Sequence, residues 1–332
     1  MFKFLSNKSI VNIVIDDYVI RMVNHAEGSI RNIKGLQEKV IPSGLIEHGR
    51  ILDEIEFFQF MKDTIREWNL KRRFVQFYVP DSLVIMKKVS YPAHLTRNQA
   101  IDHLNLEVGQ TLYLPFDNPI IDIFPLPENK DKEVQEALLF AVPEEEIKKY
   151  TDILEDCGLK PLKADIRSIG IYRYFHYMQP QLMNESILFL EMNLNSIMIS
   201  IFSNGIPEFM RLMILEIDMN NWQYTEKDIN QHLHWNYTGD ENELVQLLKD
   251  QVMELERILN FYQYSIHKGE KGVSKIVLLG DFPYLERLNS YIQGQIPIST
   301  ELFDAYLSPR KSLQIARSFI PAIGLALKGG AK

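Results

Sequence analysis

Two histidines separated by one residue form the pattern in this sequence that most resembles a metal site. His232 and His234 flank Leu233, and side chains at i and i+2 point to the same face of a strand. A transition metal needs further histidine, cysteine or carboxylate ligands, and no cluster with a known ligand spacing accompanies this pair. We therefore expect exposed loop histidines and no metal site.

The single cysteine, Cys157, is the other reactive side chain to consider. The nucleophilic form of cysteine is the thiolate, and the carboxylates of Glu155 and Asp156 directly before it disfavour that charge. One cysteine also excludes an intramolecular disulfide, as expected in a reducing compartment. The sequence has no Walker loop, no dinucleotide fingerprint and no Ser–His–Asp signature. We expect a buried or unreactive thiol and assign no catalytic residue.

The charge of the chain argues against nucleic acid as a partner. Its 332 residues carry a formal net charge of -8, and an acidic surface repels phosphate backbones. The densest basic run, Lys71, Arg72 and Arg73, is interpreted as a solvated turn before a strand.

The first residues lack the features of a signal peptide, and no run of about 18 apolar residues occurs. Any association with a membrane is expected to come through a protein partner, without direct membrane insertion.

The pattern of strands is similar in the two halves of the chain. Residues 9–16 and 19–24 predict a hairpin around the short turn of Asp16, Asp17 and Tyr18. Residues 187–191 and 196–202 predict a second hairpin, and Asn204-Gly205 is a strong turn signal after it. The repeated order indicates two related halves of an α/β protein, joined by a linker at residues 181–186.

Helical periodicity is clear in several segments. Asp53 is predicted to cap a helix that runs to residue 69, and Thr96 to cap one that runs through residue 112. A further helix is predicted over residues 144–157, and the clearest one spans residues 241–266. Residues 216–240 are polar and aromatic and give no clear prediction.

Five segments, in order along the chain, resemble the PilM family of actin-like type IV pilus proteins, which is related to the division protein FtsA. They are IPSGLIEHGRILD at 41–53, FVQFYVPDSLVIMKKVSYP at 74–92, LEVGQTLYLPF at 106–116, CGLKPLKADIRSIGIYR at 157–173 and AIGLAL at 322–327. The resemblance implies an α/β, actin-like (ribonuclease H-like) two-domain fold with an inserted small α/β subdomain. It divides the chain into 1–83 (N-terminal part of the first domain), 84–160 (insertion), 161–185 (return helix and linker) and 186–332 (second domain).

The resemblance also implies a nucleotide pocket at the two hairpin turns. Such turns need glycine, so that backbone N–H groups can approach phosphate oxygens, and small hydroxyl residues that donate to them. Where relatives resemble D-I-G-S-S-S, this chain has Val14, Asp16, Asp17 and Tyr18. Two carboxylates would then face the triphosphate, and like charges about 4 Å apart repel by roughly 4 kcal/mol at an effective dielectric near 20.

The other elements of the implied pocket depart from the family pattern as well. Glu191 keeps a carboxylate at the second turn, but Asn193 replaces the glycine, and the adenosine-side double glycine is reduced to Gly280 and Asp281. We therefore expect a pseudo-ATPase that needs no cofactor. The alternative is an active ATP-binding ATPase of the same machine, which would use ATP and magnesium.

The family resemblance implies a cytoplasmic scaffold that binds the N-terminal tail of a PilN-like bitopic membrane protein and contacts other inner-membrane platform components of the pilus. The machine served is a type IV pilus or a related competence or secretion system.

An apolar peptide needs hydrophobic pockets, and the candidates lie in the insertion: Leu104, Val108, Leu112, Tyr113, Leu114 and Phe116. The alternative interpretation is that these side chains form the core of the insertion. A cell-division relative is less favoured, because it would need a C-terminal amphipathic membrane helix.

Overall fold

The computed structural model describes residues 9–26, 33–127, 133–226, 232–307 and 313–328. The chain divides into two compact units. The first unit contains Met1–Val14, Ile20–Val40 and Arg167–Lys332, and the second contains Ile15–Val19 and Ile41–Ile166. The finer four-part division expected from the sequence stays a prediction.

Strands and helices alternate along the chain. The strands are β1 (Ser9–Ile15), β2 (Val19–Ala26), β3 (Ile33–Val40), β4 (Ile46–Glu47), β5 (Arg50–Ile51), β6 (Phe74–Tyr78), β7 (Ile85–Pro92), β8 (Pro119–Pro125), β9 (Val134–Pro143), β10 (Lys160–Asp165), β11 (Ser186–Met192), β12 (Ser196–Ser203), β13 (Ile206–Ile214), β14 (Trp222–Glu226), β15 (Leu233–Tyr237), β16 (Lys275–Leu279), β17 (Ser299–Leu302), β18 (Ala305–Tyr306) and β19 (Gln314–Ile315). The helices are α1 (Glu54–Glu67), α2 (Arg97–Glu107), α3 (Glu144–Asp156), α4 (Arg167–Met178), α5 (Glu241–Asn260), α6 (Leu285–Gln295) and α7 (Ile320–Ala326). Among the described residues, no helix is long and apolar enough to cross a bilayer.

A five-stranded sheet organises the larger part of the first unit. Its order is β13-β12-β11-β16-β17, with β11, β12 and β13 antiparallel and β16 parallel to both β11 and β17. Every residue of β11 is buried, as its continuous apolar run predicts. Asn204 and Gly205 both have positive φ, 50° and 79°, which is the backbone that a tight hairpin turn requires. The turn predicted at Asn204-Gly205 is therefore confirmed, and the antiparallel pairing of β11 with β12 confirms the second predicted hairpin.

Helices α4 and α7 of the first unit meet at two glycines. A Cβ on Gly324 would lie 2.1 Å from the carbonyl oxygen of Gly170, so no larger residue fits at this contact. Arg173 of α4 donates to the carbonyl of the same Gly324 at 2.7 Å. The small residues thus let the two backbones approach closely, and the arginine fixes their register.

Helix α5 shows the predicted apolar stripe. Asp240 caps its start by accepting from the amide of Asn242 at 2.8 Å, and its buried positions are Leu244, Leu248, Val252, Leu255, Ile258 and Leu259. The predicted single helix to residue 266 differs at its end, because Phe261–Ile266 is π-helical.

The residues before α5, for which the sequence allows no clear prediction, include a hairpin of β14 and β15, which pairs Trp222 with Tyr237 and Tyr224 with Trp235.

The second unit contains a small sheet with one helix packed on it. The strand order is β7-β9-β8, all antiparallel, and α2 covers one face. Thr96 and Gln99 form a capping box at the start of α2. The predicted helix to residue 112 is wrong at its end, because the chain leaves the helix at Val108 and turns at Gly109, whose φ is +79°. The amide of Leu112 then donates a hydrogen bond back to the carbonyl of Glu107, at 3.0 Å.

The second unit also contains helix α1, helix α3, the short β4–β5 hairpin and the parallel pair of β6 and β10. Asp53 accepts from the amide of Glu56 at 2.9 Å, as the predicted N-cap. Cys157 ends α3; it is buried, and its thiol lies 3.7 Å from the carbonyl oxygen of Phe58. Burial, with the charge of Asp156, raises the pKa of the Cys157 thiol to about 11, so the thiol is protonated at neutral pH. The expectation of a buried thiol is confirmed.

Candidate functional site

The first hairpin turn directs a carboxylate at backbone amides of its own unit. The two carboxylate oxygens of Asp17 accept from the amides of His48 and Gly49, each at 2.9 Å. His48 and Gly49 form the β4–β5 turn, and both have positive φ. The Asp16 amide donates to the Val19 carbonyl at 2.9 Å and closes the hairpin. The Asp17 carboxylate therefore holds a neighbouring turn in place.

A tyrosine and an ion pair support the same β4–β5 turn. Tyr150 of α3 is buried and donates its hydroxyl to the carbonyl of Gly49 at 3.0 Å. Burial, with the charges of Asp17, Glu146 and Asp16, raises the pKa of Tyr150 far above its ordinary value, which keeps this donor protonated. Arg50 pairs with Glu146 at 2.6 Å. The turn thus has donors and acceptors fixed on both sides.

The second hairpin turn contains a buried ion pair. Glu191, at the end of β11, accepts from Nε of Arg167 at 2.7 Å and from its Nη2 at 2.5 Å. The side chains of Arg167 and Glu191 are only 6% and 2% exposed. The Asn193 amide donates to the carbonyl of Ser196 at 2.9 Å and closes the turn. The carboxylate of Glu191 is thus neutralised by an arginine from the start of α4.

Gly280 lies directly against the second turn. Its φ is +115°, and a Cβ there would be 2.0 Å from the carbonyl oxygen of Met192. Phe282 donates its amide to that same oxygen at 3.2 Å. Because both the backbone conformation and the contact exclude a side chain, this position of the chain requires glycine. The structure therefore brings Glu191, Asn193 and Gly280 together around the end of β11.

A second buried arginine engages Asp281. Nη2 of Arg21 contacts the Asp281 carboxylate at 2.5 Å, and its Nε contacts Glu38 at 2.9 Å. All three side chains are at most 4% exposed. Burial raises the pKa of Glu38, whereas His232, the charge of Arg21 and the amide of Leu233 lower it, and the net direction is downward. The carboxylate of Glu38 therefore stays ionised opposite the guanidinium.

Sequence reasoning missed both arginines. Arg21 interrupts the apolar strand β2, and Arg167 begins α4. A basic residue within an apolar run is the one local signal for Arg21, since a buried charge needs a partner.

Of the predicted pocket residues on the first hairpin, Val14 is buried in β1, and Tyr18 is 6% exposed. The pocket residues predicted on the second hairpin lie in the first unit, whereas Asp16, Asp17 and Tyr18 belong to the second.

The six predicted groove residues divide into three groups: two are buried, one is exposed and three are partly buried. Leu104 and Leu112 are buried in the core of the insertion, 1% and 6% exposed, together with Tyr91 and residues of β8 and β9. The side chain of Tyr113 is 69% exposed. Three others are partly buried and pack against the edge of that core: Val108, Leu114 and Phe116. Leu106, which sequence reasoning did not select, is 74% exposed.

The remaining sequence candidates form ordinary contacts. His232 is half-buried, and its Nδ1 lies 3.6 Å from a carboxylate oxygen of Glu38. The expectation that it is an exposed loop histidine therefore does not hold. His234 is exposed on β15. Within the part of the chain that the structure describes, no group of three or more histidine, cysteine or acidic side chains could hold a metal.

Comparison with known proteins supplies the context for these contacts. The chain matches the family model described as Type IV pilus assembly protein PilM over residues 13–330. No curated protein matches the sequence. Among solved structures, it is similar to a chain of a PilM-PilN type IV pilus biogenesis complex, with 17% identity, a TM-score of 0.77, and coverage of 98% of this chain and 100% of that one.

Two further structures are more distant. EutJ, an ethanolamine utilization protein from Carboxydothermus hydrogenoformans, has 10% identity and a TM-score of 0.51, with 98% of this chain and 91% of that chain covered. A Bacteroides thetaiotaomicron protein with an actin-like ATPase fold has 13% identity and a TM-score of 0.46, with 91% and 94% covered.

The fold is that of the actin-like proteins, as the resemblance implied. The family model covers nearly the whole sequence. The chain belongs to the PilM family of type IV pilus assembly proteins.

Proposed function

We propose that this protein is a cytoplasmic scaffold of a type IV pilus or a related competence or secretion machine. In this role it captures the cytoplasmic N-terminal tail of a PilN-like bitopic protein, which holds it at the inner face of the membrane. The supporting observation is the end-to-end similarity to a chain of the PilM-PilN complex, at a TM-score of 0.77 over 98% of this chain. The PilN component of that complex is the basis for the partner proposed here.

The insertion offers side chains suited to an apolar tail. Tyr113 and Leu106 are exposed. Leu114 and Phe116, which follow Tyr113 closely in the sequence, are partly buried. A peptide that is disordered alone must offset its ordering entropy on binding. Apolar anchors that reach partly buried side chains provide that free energy without a large interface.

Calorimetric titration of the full chain with a synthetic peptide of the PilN-like tail from the same cell tests the proposal. We expect a dissociation constant on the order of micromolar. A tail peptide whose apolar residues are replaced by serine is the matched control and should not bind. Failure of the native tail peptide to bind the folded chain would exclude this function.

We further propose that the protein does not hydrolyse ATP. This proposal is supported by the partners of the carboxylates at the predicted pocket, since Asp17 accepts from two amides and Glu191 and Asp281 each contact a buried arginine. Phosphate oxygens need donors, and these acidic side chains offer acceptors that are already engaged. A magnesium ion would also compete with the two guanidinium groups for its carboxylate ligands.

Thermal unfolding with and without Mg-ATP distinguishes a scaffold from the alternative, an active ATPase of the same machine. A ligand present at about 100 times its dissociation constant stabilises the folded state by about 2.7 kcal/mol. For a chain of this length that free energy raises the melting temperature by several degrees. We expect no shift beyond that of a control with matched ionic strength. A nucleotide-specific rise accompanied by phosphate release would establish the ATPase instead.

A further inference from the structure

Basic residues from two distant segments lie near one another on the β6–β10 pair, one group directly before β6 and the other within β10. The Arg72 amide donates to the carbonyl of Gly158 at 2.7 Å, and the Lys160 amide donates to the carbonyl of Arg73 at 2.8 Å. These bonds bring the turn before β6 next to the start of β10. All members of the resulting basic patch are exposed: Lys71, Arg72, Arg73, Lys160 and Lys163.

An irregularity in β10 places its two lysines on the same face. Lys160 pairs with Phe74 and Lys163 with Gln76, and the register shifts at the extra residue between them, Leu162. In a regular strand, residues three apart would point to opposite faces, whereas a bulge changes that direction. The ammonium group of Lys160 lies 5.8 Å from the centre of the Phe74 ring. Leu162 itself is 46% exposed and lies between the two lysines in sequence.

The charge of the basic patch is not neutralised within the described structure. None of its five side chains forms an ion pair with a described carboxylate, although Glu155 and Asp156 lie at the end of the preceding helix. Elsewhere, Arg50 and Arg167 are each paired with a glutamate. In a chain whose net charge is -8, such a cluster favours a negatively charged partner.

We propose that the basic patch binds the surface of an anionic lipid bilayer. Clustered lysine and arginine side chains near such a surface each strengthen binding by about fivefold. The exposed Leu162 favours a lipid surface over an acidic protein segment, because the interface offers acyl carbon directly beneath the phosphate layer. The proposal departs from the sequence-based expectation that membrane association comes only through a protein partner, and it does not depend on capture of that partner's tail. If both contacts form, each raises the effective concentration for the other.

Co-sedimentation of the full chain with vesicles tests this inference without the partner. We expect binding to vesicles of phosphatidylcholine mixed with phosphatidylglycerol, no binding to phosphatidylcholine alone, and weakening by salt, since exposed charges are screened. The double variant Lys160→Glu/Lys163→Glu should lose at least about tenfold in binding. Leu162→Ser should lower binding and keep its salt dependence. Because all three side chains are exposed, each variant should keep the melting temperature of the native chain.

The matched control is Lys148→Glu/Lys249→Glu, which changes two other exposed lysines by the same charge. It should bind as the native chain does. Equal loss in the control would show that only net charge matters and would overturn the proposal. Absence of binding to the anionic vesicles would overturn it as well. The lysines would then serve only to protect β10, the edge strand of its sheet, against pairing with another chain. Tighter binding to polyglutamate than to vesicles would assign the patch to an acidic protein segment instead.

Discussion

The guanidinium of Arg167 donates two hydrogen bonds to one carboxylate oxygen of Glu191, and both side chains are almost fully buried. The pair joins the first residue of α4 to the next-to-last residue of strand β11, two positions before Asn193 of the hairpin turn. A charge in such a place is tolerated only with its partner.

Removing one member of this pair should therefore destabilise the fold strongly. We expect Arg167→Met to lower the free energy of unfolding by about 3–5 kcal/mol, because it leaves the carboxylate buried without its counter-charge. The double variant Arg167→Met/Glu191→Met should recover most of that loss. Urea denaturation followed by tryptophan fluorescence measures both. If the double variant is as unstable as the single one, the pair contributes through packing rather than charge.

Gly280 should not tolerate alanine. The added Cβ would meet the carbonyl oxygen of Met192 at 2.0 Å in a backbone with φ of +115°, so we expect a loss of at least about 2 kcal/mol in unfolding free energy or failure to fold. Gly294→Ala is the control, because nothing lies within 4 Å of a Cβ at that position in α6. That change should be neutral or stabilise by up to about 1 kcal/mol. Similar losses in both variants would contradict the steric explanation.

The free energy of unfolding at acidic pH should depend on the ionisation of Glu208. Burial raises the pKa of this carboxyl, but hydrogen bonds from Lys271 and Tyr262 and the charges of Lys271 and His267 lower it, and the net pKa lies below the ordinary 4.5. Because the folded pKa is depressed, the contribution is fully present above pH 4.5 and is lost as the pH falls through the folded value.

Glu208→Gln should accordingly lose less stability than the native chain on acidification from neutral pH to below 4.5. Chemical denaturation at several pH values measures the difference. Glu256→Gln, at an exposed position of α5, is the control and should retain the native pH dependence. Parallel pH profiles for the native chain and the Glu208 variant would refute this assignment.

An exposed and a buried residue of the predicted groove should affect different properties, peptide binding for the first and folding for the second. Tyr113→Asp changes a side chain that is 69% exposed, so we expect the melting temperature to stay constant while capture of the tail peptide falls by about tenfold or more. Leu104→Asp puts a charge into the core of the insertion and should unfold it. A folded Tyr113 variant that binds with native affinity would remove this residue from the proposed groove.

The sequence allowed the local elements of the fold to be predicted, because their signals are short in range. Asp53 caps α1, and the apolar stripe of α5 is buried as its periodicity indicates. The helix that starts at Thr96 was predicted to be five residues longer than the observed Glu107 end, since its composition stays helix-compatible while Gly109 turns the backbone. Strand β10 was missed because it is polar and its register shifts at Leu162.

The candidate site was harder to predict, because its contacts join residues far apart in the chain. Arg21 reaches Asp281 across 260 positions, and no local pattern indicates that pairing. The hairpin of β14 and β15 depends on cross-strand aromatic pairs, such as Tyr224 with Trp235, rather than on alternation of polar and apolar residues. Family resemblance located the two turns, whereas the partners of their carboxylates required the structure.

The buried thiol of Cys157 has a practical consequence for measuring motion. Its side chain is 4% exposed and burial raises its pKa to about 11, so maleimide reagents at neutral pH meet almost no thiolate there. The native sequence thus already serves as a silent background for site-specific labelling. A cysteine introduced at an exposed position, for example at Tyr113, can carry a fluorophore or spin label as the only reactive thiol in the chain, and the effect of a tail peptide or a vesicle on that label can be followed without altering the native residue.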